Sequence, residues 1–179
     1  NTYSQEELTR LLKQYGQEPF AYKIAASIVS RRAEHTIDTT FELVDLIKSV
    51  LPQKVLNKKG HPAKRSFQAI RMEVNGELDQ LQVALEAGIH RLKPGGRLCV
   101  ITFHSLEDRL VKNAFKAVAT PKKVDRRLPA TGIEVLEYRF INKKPIIASD
   151  EELAANKRSH SAKLRGIERI RESANEEKK

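Results

Sequence analysis

His104, Ser105, Glu107 and Asp108 stand together in the stretch RLCVITFHSLEDRLVKNAF, directly after an apolar run. An imidazole, a hydroxyl and two carboxylates so closely spaced can hold or move a proton, or accept hydrogen bonds from a substrate amine. Their place in the chain adds to this, because ligands of open α/β sheets bind just outside the carboxyl ends of the strands. A structural role competes. Ser105 suits the N-cap of the helix that follows, and Asp108, three residues on, falls in its first turn, where the helix dipole favours an acid. Residue type and spacing leave both open.

Several other chemistries find no support. His61, His90, His104 and His160 are scattered and match no metal-ligand spacing such as HExxH, and there is no GxSxG elbow. Cys99, the only cysteine, lies inside the apolar run and reads as a small buried hydrophobe, so neither a disulfide framework nor a Cys-based zinc site is available. No GxGxxG or GxxxxGK occurs, and Gly95-Gly96 sits between a helix and a strand, the reverse of a phosphate-cradling strand-to-helix turn. The residues by themselves assign no metal and no cofactor-binding position.

Charge points to a partner class. The chain of 179 residues carries 33 Lys and Arg against 23 Asp and Glu, a formal net charge of +10. Such a balance favours a polyanion, most often a nucleic acid. From Lys54 to Arg71 there are six Lys or Arg and no acid, with His61 and Phe67 interleaved. Lys58, Lys59, Lys64, Arg65 and Arg71 are the candidate phosphate contacts there. A second cluster, Lys157 to Arg171, holds six Lys or Arg against Glu168, with Lys163 and Arg165 as candidates. No apolar run approaches 18 residues and no signal-peptide pattern opens the chain, so a cytoplasmic location without membrane contact is expected. Composition, 40% hydrophobic and 31% charged, is that of a globular domain.

The elements that must position these residues can be read from caps and periodicity. Ser4 with Glu7, Thr39 with Glu42 and Ser149 with Glu152 are capping-box starts. The first two, with a Pro19-led helix between them, predict three short helices in a compact subdomain. Phe67, Ile70, Val74, Leu78, Leu81, Leu85, Ile89 and Leu92 form one apolar stripe about seven turns long, predicting a single helix up to Lys93-Pro94-Gly95-Gly96. Arg97 to Phe103 predicts a strand covered on both faces, and Leu106 to Phe115 an amphipathic helix closed by Pro121. Val135 to Ile141 predicts another strand. Ala162 to Ile170 fits a helix by periodicity and a strand by position. ESANEEKK reads as a frayed tail.

Together, HPAKRSFQAIRMEVNGEL, LKPGGRLCVITFHSLEDRLVK, NKKPI and RSHSAKLRGIERI, in that order, resemble the bacterial ribosomal RNA small-subunit methyltransferase H (MraW) family; YGQEPFAYKIAASIVSRR and TIDTTFELVDLI are also similar to it. The resemblance reaches to about Ile170. It implies an α/β fold, part of a class I methyltransferase (Rossmann-like) sheet with a helical insertion subdomain. Residues 1–56 would be the insertion, 57–171 the carboxyl-terminal half of the catalytic domain, and 172–179 a tail. Ala162 to Ile170 then becomes an antiparallel strand between its two predecessors. The implied activity is S-adenosylmethionine-dependent methylation of a cytidine N4 amine in small-subunit ribosomal RNA, with His104, Ser105, Glu107 and Asp108 in or beside the cleft. The family's glycine-rich cofactor loop has no counterpart here. This implies no methylation by these residues alone, an open sheet edge able to self-associate, and, as the alternative, a non-catalytic basic RNA-binding module.

Overall fold

The computed structural model describes residues 1–121 and 136–171. The start of the strand read from Val135 and the tail at 172–179 lie outside the described residues. By contacts the chain divides into two compact units, Asn1–Glu77 and Leu78–Lys179.

The first unit is helical. Helices α1 (Gln5–Gln14) and α3 (Thr40–Val50) begin with the expected reciprocal capping boxes, Ser4 with Glu7 and Thr39 with Glu42. Between them runs α2 (Ala21–Glu34), and α4 (Gln53–Leu56) and α5 (Lys64–Asn75) follow. Leu8, Leu11, Leu12, Ile24, Ala25, Ile28, Ile47 and Ala69 form the core. Gly16 explains how α1 and α5 come so close: a Cβ there would stand 2.7 Å from the Leu12 carbonyl oxygen and 2.8 Å from that of Arg65. The glycine is required by close approach, while the left-handed turn after α1 is taken by Gln17 at φ 48°.

The predicted seven-turn helix is two helices. α5 ends at Gly76, whose φ of 59° is left-handed, and α6 (Glu77–Arg91) starts at the next residue. The stripe misassigned the buried face of α5 as well: Ser66, Ala69 and Met72 are buried, whereas Val74 is 78% exposed. Helical periodicity runs through a glycine without a break, but the backbone at Gly76 turns out of the helix and satisfies its N–H on the Met72 and Glu73 carbonyls.

In the second unit the chain continues through β1 (Arg97–Thr102), α7 (Ser105–Ala119), β2 (Tyr138–Phe140), β3 (Ile146–Ile147), α8 (Asp150–Ala155), a 3₁₀ turn (Lys157–Ser161) and β4 (Lys163–Arg169). α8 starts at the expected cap, Ser149, whose hydroxyl accepts from the Glu152 N–H. The segment that fitted both helix and strand is a strand. β4 lies between β1 and β2, antiparallel to both, with Leu98 opposite Ile167 and Phe140 opposite the same residue. β3 pairs with the Lys163–Leu164 end of β4. Leu85, Ile89, Val111, Phe115, Tyr138 and Ile167 make the core, with Leu98 and Val100 of β1 packed against it.

That register puts Leu98, Val100, Arg165 and Ile167 on the face that meets α6 and α7, and Cys99, Ile101 and Leu164 on the other. The expectation of a strand covered on both faces is therefore corrected: Ile101 is 58% exposed and Cys99, expected to be buried, is exposed. An unbroken apolar run marks what a strand can bury, and α6 and α7 cover one face of it. Among the described residues β1 is the end strand, so its outer edge is open. No helix of the described residues is long and apolar enough to cross a membrane.

Candidate functional site

The turn after β1 is built by backbone needs first. Thr102 is buried, and after the bend at Phe103 the extended His104 leads into α7, which begins at Ser105. The cap is His104, one residue earlier than expected. Its Nδ1 accepts from the Glu107 N–H at 3.3 Å, and the Glu107 carboxylate answers through Oε2, accepting from the N–H groups of Phe103 (2.8 Å) and His104 (3.2 Å). The Ser105–Asp108 cap is thus replaced by a His104–Glu107 capping box, with Ser105 as the first helical residue. The physical reason is reach: an imidazole nitrogen can accept as a serine hydroxyl does, and Glu107 is the acid three residues after it.

Since Nδ1 accepts, it bears no proton, and the ring proton is on Nε2. Nε2 lies 3.1 Å from Glu107 Oε1, out of line for a hydrogen bond, and is buried without another partner among the described residues. His104 and Glu107 are therefore a coupled pair whose first task is to start α7. His104→Ala should cost about 1 kcal/mol through loss of the cap, whereas His104→Asn, a stronger cap former, should leave stability unchanged. Chemical denaturation of the two variants checks this, and equal losses would remove the capping role.

Asp108 faces the sheet. It accepts from Arg165 Nε at 2.7 Å and Nη2 at 3.2 Å and lies 3.5 Å from Lys163 Nζ. The Asp108 and Arg165 side chains are only 13% and 12% exposed. The hydrogen bonds and charge of Arg165 hold the Asp108 carboxyl below the usual carboxylate range, against the opposing effect of burial. The pair ties the first turn of α7 to the central strand, so the HSLED turn is braced on two elements.

The proposed phosphate contacts separate into two kinds. Lys58, Lys59, Lys64 and Arg65 line one cavity in the helical unit, and among the described residues none of them is in an ion pair. Arg71, by contrast, makes a two-pronged contact with Glu77 at 2.7 and 2.9 Å. In the second basic cluster, Arg165 is turned inward to Asp108, and buried Arg169 donates to the Leu92 carbonyl at 2.6 Å. Sequence reasoning missed Arg169, and it missed Glu18, whose buried carboxylate accepts from the Phe20 N–H at 3.1 Å in the same cavity as the four free cations. The signal for Glu18 was present in Gly16-Gln17-Glu18-Pro19, an acid placed just before a helix start.

This geometry, an antiparallel β4 between β1 and β2 with a polar turn at the end of β1, meets the comparison with known proteins. The pattern of the MraW methylase family matches residues 1–170. The chain belongs to that family. Proteins named ribosomal RNA small subunit methyltransferase H are similar over 95% of the chain: 49% identical in Caldicellulosiruptor bescii, 52% in Caldicellulosiruptor saccharolyticus and 51% in Lactobacillus delbrueckii subsp. bulgaricus. The alignment takes up 54–55% of those relatives, so the chain spans about half their length.

For an MraW methylase family chain, the cofactor to test is S-adenosylmethionine. The glycine pair does not fit it. The Gly95 N–H donates to the Arg169 carbonyl at 2.7 Å and the Gly96 N–H to that of Lys93 at 2.8 Å, so neither glycine amide is left to hold an anionic group. Its glycines serve the ladder between β1 and β4, with Gly95 at φ 80°.

Proposed function

We propose that the chain is the substrate-side part of an S-adenosylmethionine-dependent methyltransferase that acts on the N4 amine of a cytidine in small-subunit ribosomal RNA. Family membership supports the activity class, and one observation carries the division of labour: four cations without ion pairs among the described residues gather round a single cavity, where RNA phosphates would be held. In this reading residues 1–56 are the helical insertion and 57–171 belong to the catalytic domain, with the stretch up to Glu77 packed into the helical unit. His104, Ser105, Glu107 and Asp108 form one wall of the cleft. A cytosine amine has its lone pair delocalised into the ring, so its reaction needs acceptors that draw on its N–H groups and a path for the departing proton. Glu107 Oε1, the carboxylate oxygen outside the capping bonds, is the group suited to accept.

The experiment is a salt titration of binding to a small-subunit ribosomal RNA fragment, with calorimetry against S-adenosylmethionine alongside. Replacing Lys64 and Arg65 with Ala should reduce the salt slope by about 2, since each phosphate no longer neutralised lowers it by about 1. The chain alone should show no saturable cofactor binding. An unchanged slope removes the phosphate contacts, and one-to-one cofactor binding overturns the assignment of the chain to the substrate side. A second reading, a non-catalytic RNA-binding module, is favoured by the engagement of His104 Nδ1 and Glu107 Oε2 in the cap of α7.

A further inference from the structure

The cavity that holds the four free cations contains more than charge. It has a volume of about 310 Å³, the scale of a small-molecule site rather than of an open surface that merely follows a backbone. Phe20, which also packs against the helical core, and the exposed His61 form part of its wall, the two aromatic residues there. Glu18 lies there too, 5% exposed. A buried carboxylate without an ion pair is costly, so its surroundings matter. One of its oxygens accepts from the Phe20 N–H at the start of α2, and among the described residues the other has no hydrogen-bond partner. Lys58, Lys59 and Lys64 supply positive charge around it, and Arg65 is steadied by donating to the Gln17 carbonyl at 3.2 Å.

We infer that this cavity is a subsite for one unpaired nucleotide, whose phosphate is held by the lysines and Arg65, whose base stacks on Phe20 and His61, and whose exocyclic amine donates to Glu18. The inference rests on the RNA-binding reading above and adds base preference to it. A free carboxylate oxygen accepts hydrogen bonds only, so it suits bases with an exocyclic amine, such as cytosine and adenine (and guanine), over uracil, whose single edge N–H is flanked by two carbonyl oxygens. Cations alone would bind every nucleotide alike. Shape and rings alone would favour purines over pyrimidines, whatever their edges. The combination predicts the amine-bearing bases, cytosine and adenine among them, over uracil.

The test uses the chain with cytidine, adenosine and uridine 5′-monophosphates and with inorganic phosphate, followed by chemical-shift changes of the backbone amides in the 18–20 and 58–65 segments. Cytidine and adenosine monophosphates should bind about tenfold tighter than uridine monophosphate, and inorganic phosphate more weakly than all three. Glu18→Gln, which keeps an oxygen for the Phe20 N–H and replaces the free acceptor with a donor, should abolish that preference. His61→Asn, which keeps an acceptor for the Ala63 N–H but removes the ring, should weaken all three nucleotides by about fivefold or more. Equal affinities for the three nucleotides, or a preference that survives Glu18→Gln, overturns the subsite. If the nucleotides fail while ribosomal RNA still binds with the expected salt slope, the subsite falls and the RNA-binding reading stands. If RNA fails as well, both fall.

Discussion

Asp108→Ala will destabilise the second unit by about 2–3 kcal/mol, between the small contribution of a surface pair and the larger cost of removing one partner of a fully buried one, because both side chains are largely but not wholly covered. Arg165 would keep its guanidinium between α7 and β4 with its two short hydrogen bonds gone, and Lys163 is the nearest like charge. Urea denaturation followed by circular dichroism measures the change, and less than about 1 kcal/mol would mean the pair is screened as a surface pair is. Replacing both residues, Asp108→Leu with Arg165→Met, should recover most of the stability, since an apolar pair of similar volume needs no desolvation. The same carboxylate sets an acid limit. Its folded-state value is depressed below the unfolded value of about 3.9, so the contribution is complete above that pH and is lost as pH falls through the folded value. Wild-type protein should lose stability on acidification below about pH 4, and the double variant should lose less of it.

Gly16→Ala should cost about 3 kcal/mol, the upper end for overpacking, despite adding one methyl group. Both atoms the new Cβ would meet under 3 Å are backbone carbonyl oxygens, of Leu12 and Arg65, and neither can swing aside as a side chain would. α1 and α5 would have to separate, opening the core around Leu12 and Ala69. A thermal melt is enough to check it. A change within about 0.5 kcal/mol would show that the crossing is soft. Because Arg65 also reaches the Gln17 carbonyl, the substitution should disturb the cation cavity along with the fold.

Much of the fold was legible because local physics decided it. The starts of α1, α3 and α8 follow from side chains that reach three residues ahead, a relation any sequence displays. The same reasoning misplaced the start of α7 by one residue, since Ser105 is the more common cap and only the folded turn shows the His104 imidazole in that role. Periodicity carried the Phe67–Leu92 stripe across Gly76, because a pattern of apolar residues records which side chains can be buried and does not record the sign of φ. β4 was ambiguous for a related reason. Leu164, Ile167 and Ile170 stand three apart, but Leu164 and Ile167 lie on opposite faces of the strand, and its partners β1, β2 and β3 all come from well outside the reach of local periodicity.

The sequence by itself determined the family, the helical character of the first 50 or so residues, the polar turn after β1 and the clustering of positive charge, all of which rest on residue type and near-neighbour spacing. The tertiary structure alone decided which charges are free. Arg165 and Lys64 look alike as letters, yet one is locked to Asp108 and the other lines a cavity without an ion pair. It alone decided that Cys99 faces outward, that Gly16 is there for a carbonyl passing at contact distance, and that Glu18 is buried beside four cations. The reason is common to all of these. A charge's availability, a face's burial and a glycine's necessity depend on atoms brought close by the fold from distant parts of the chain, and a sequence orders residues along one line.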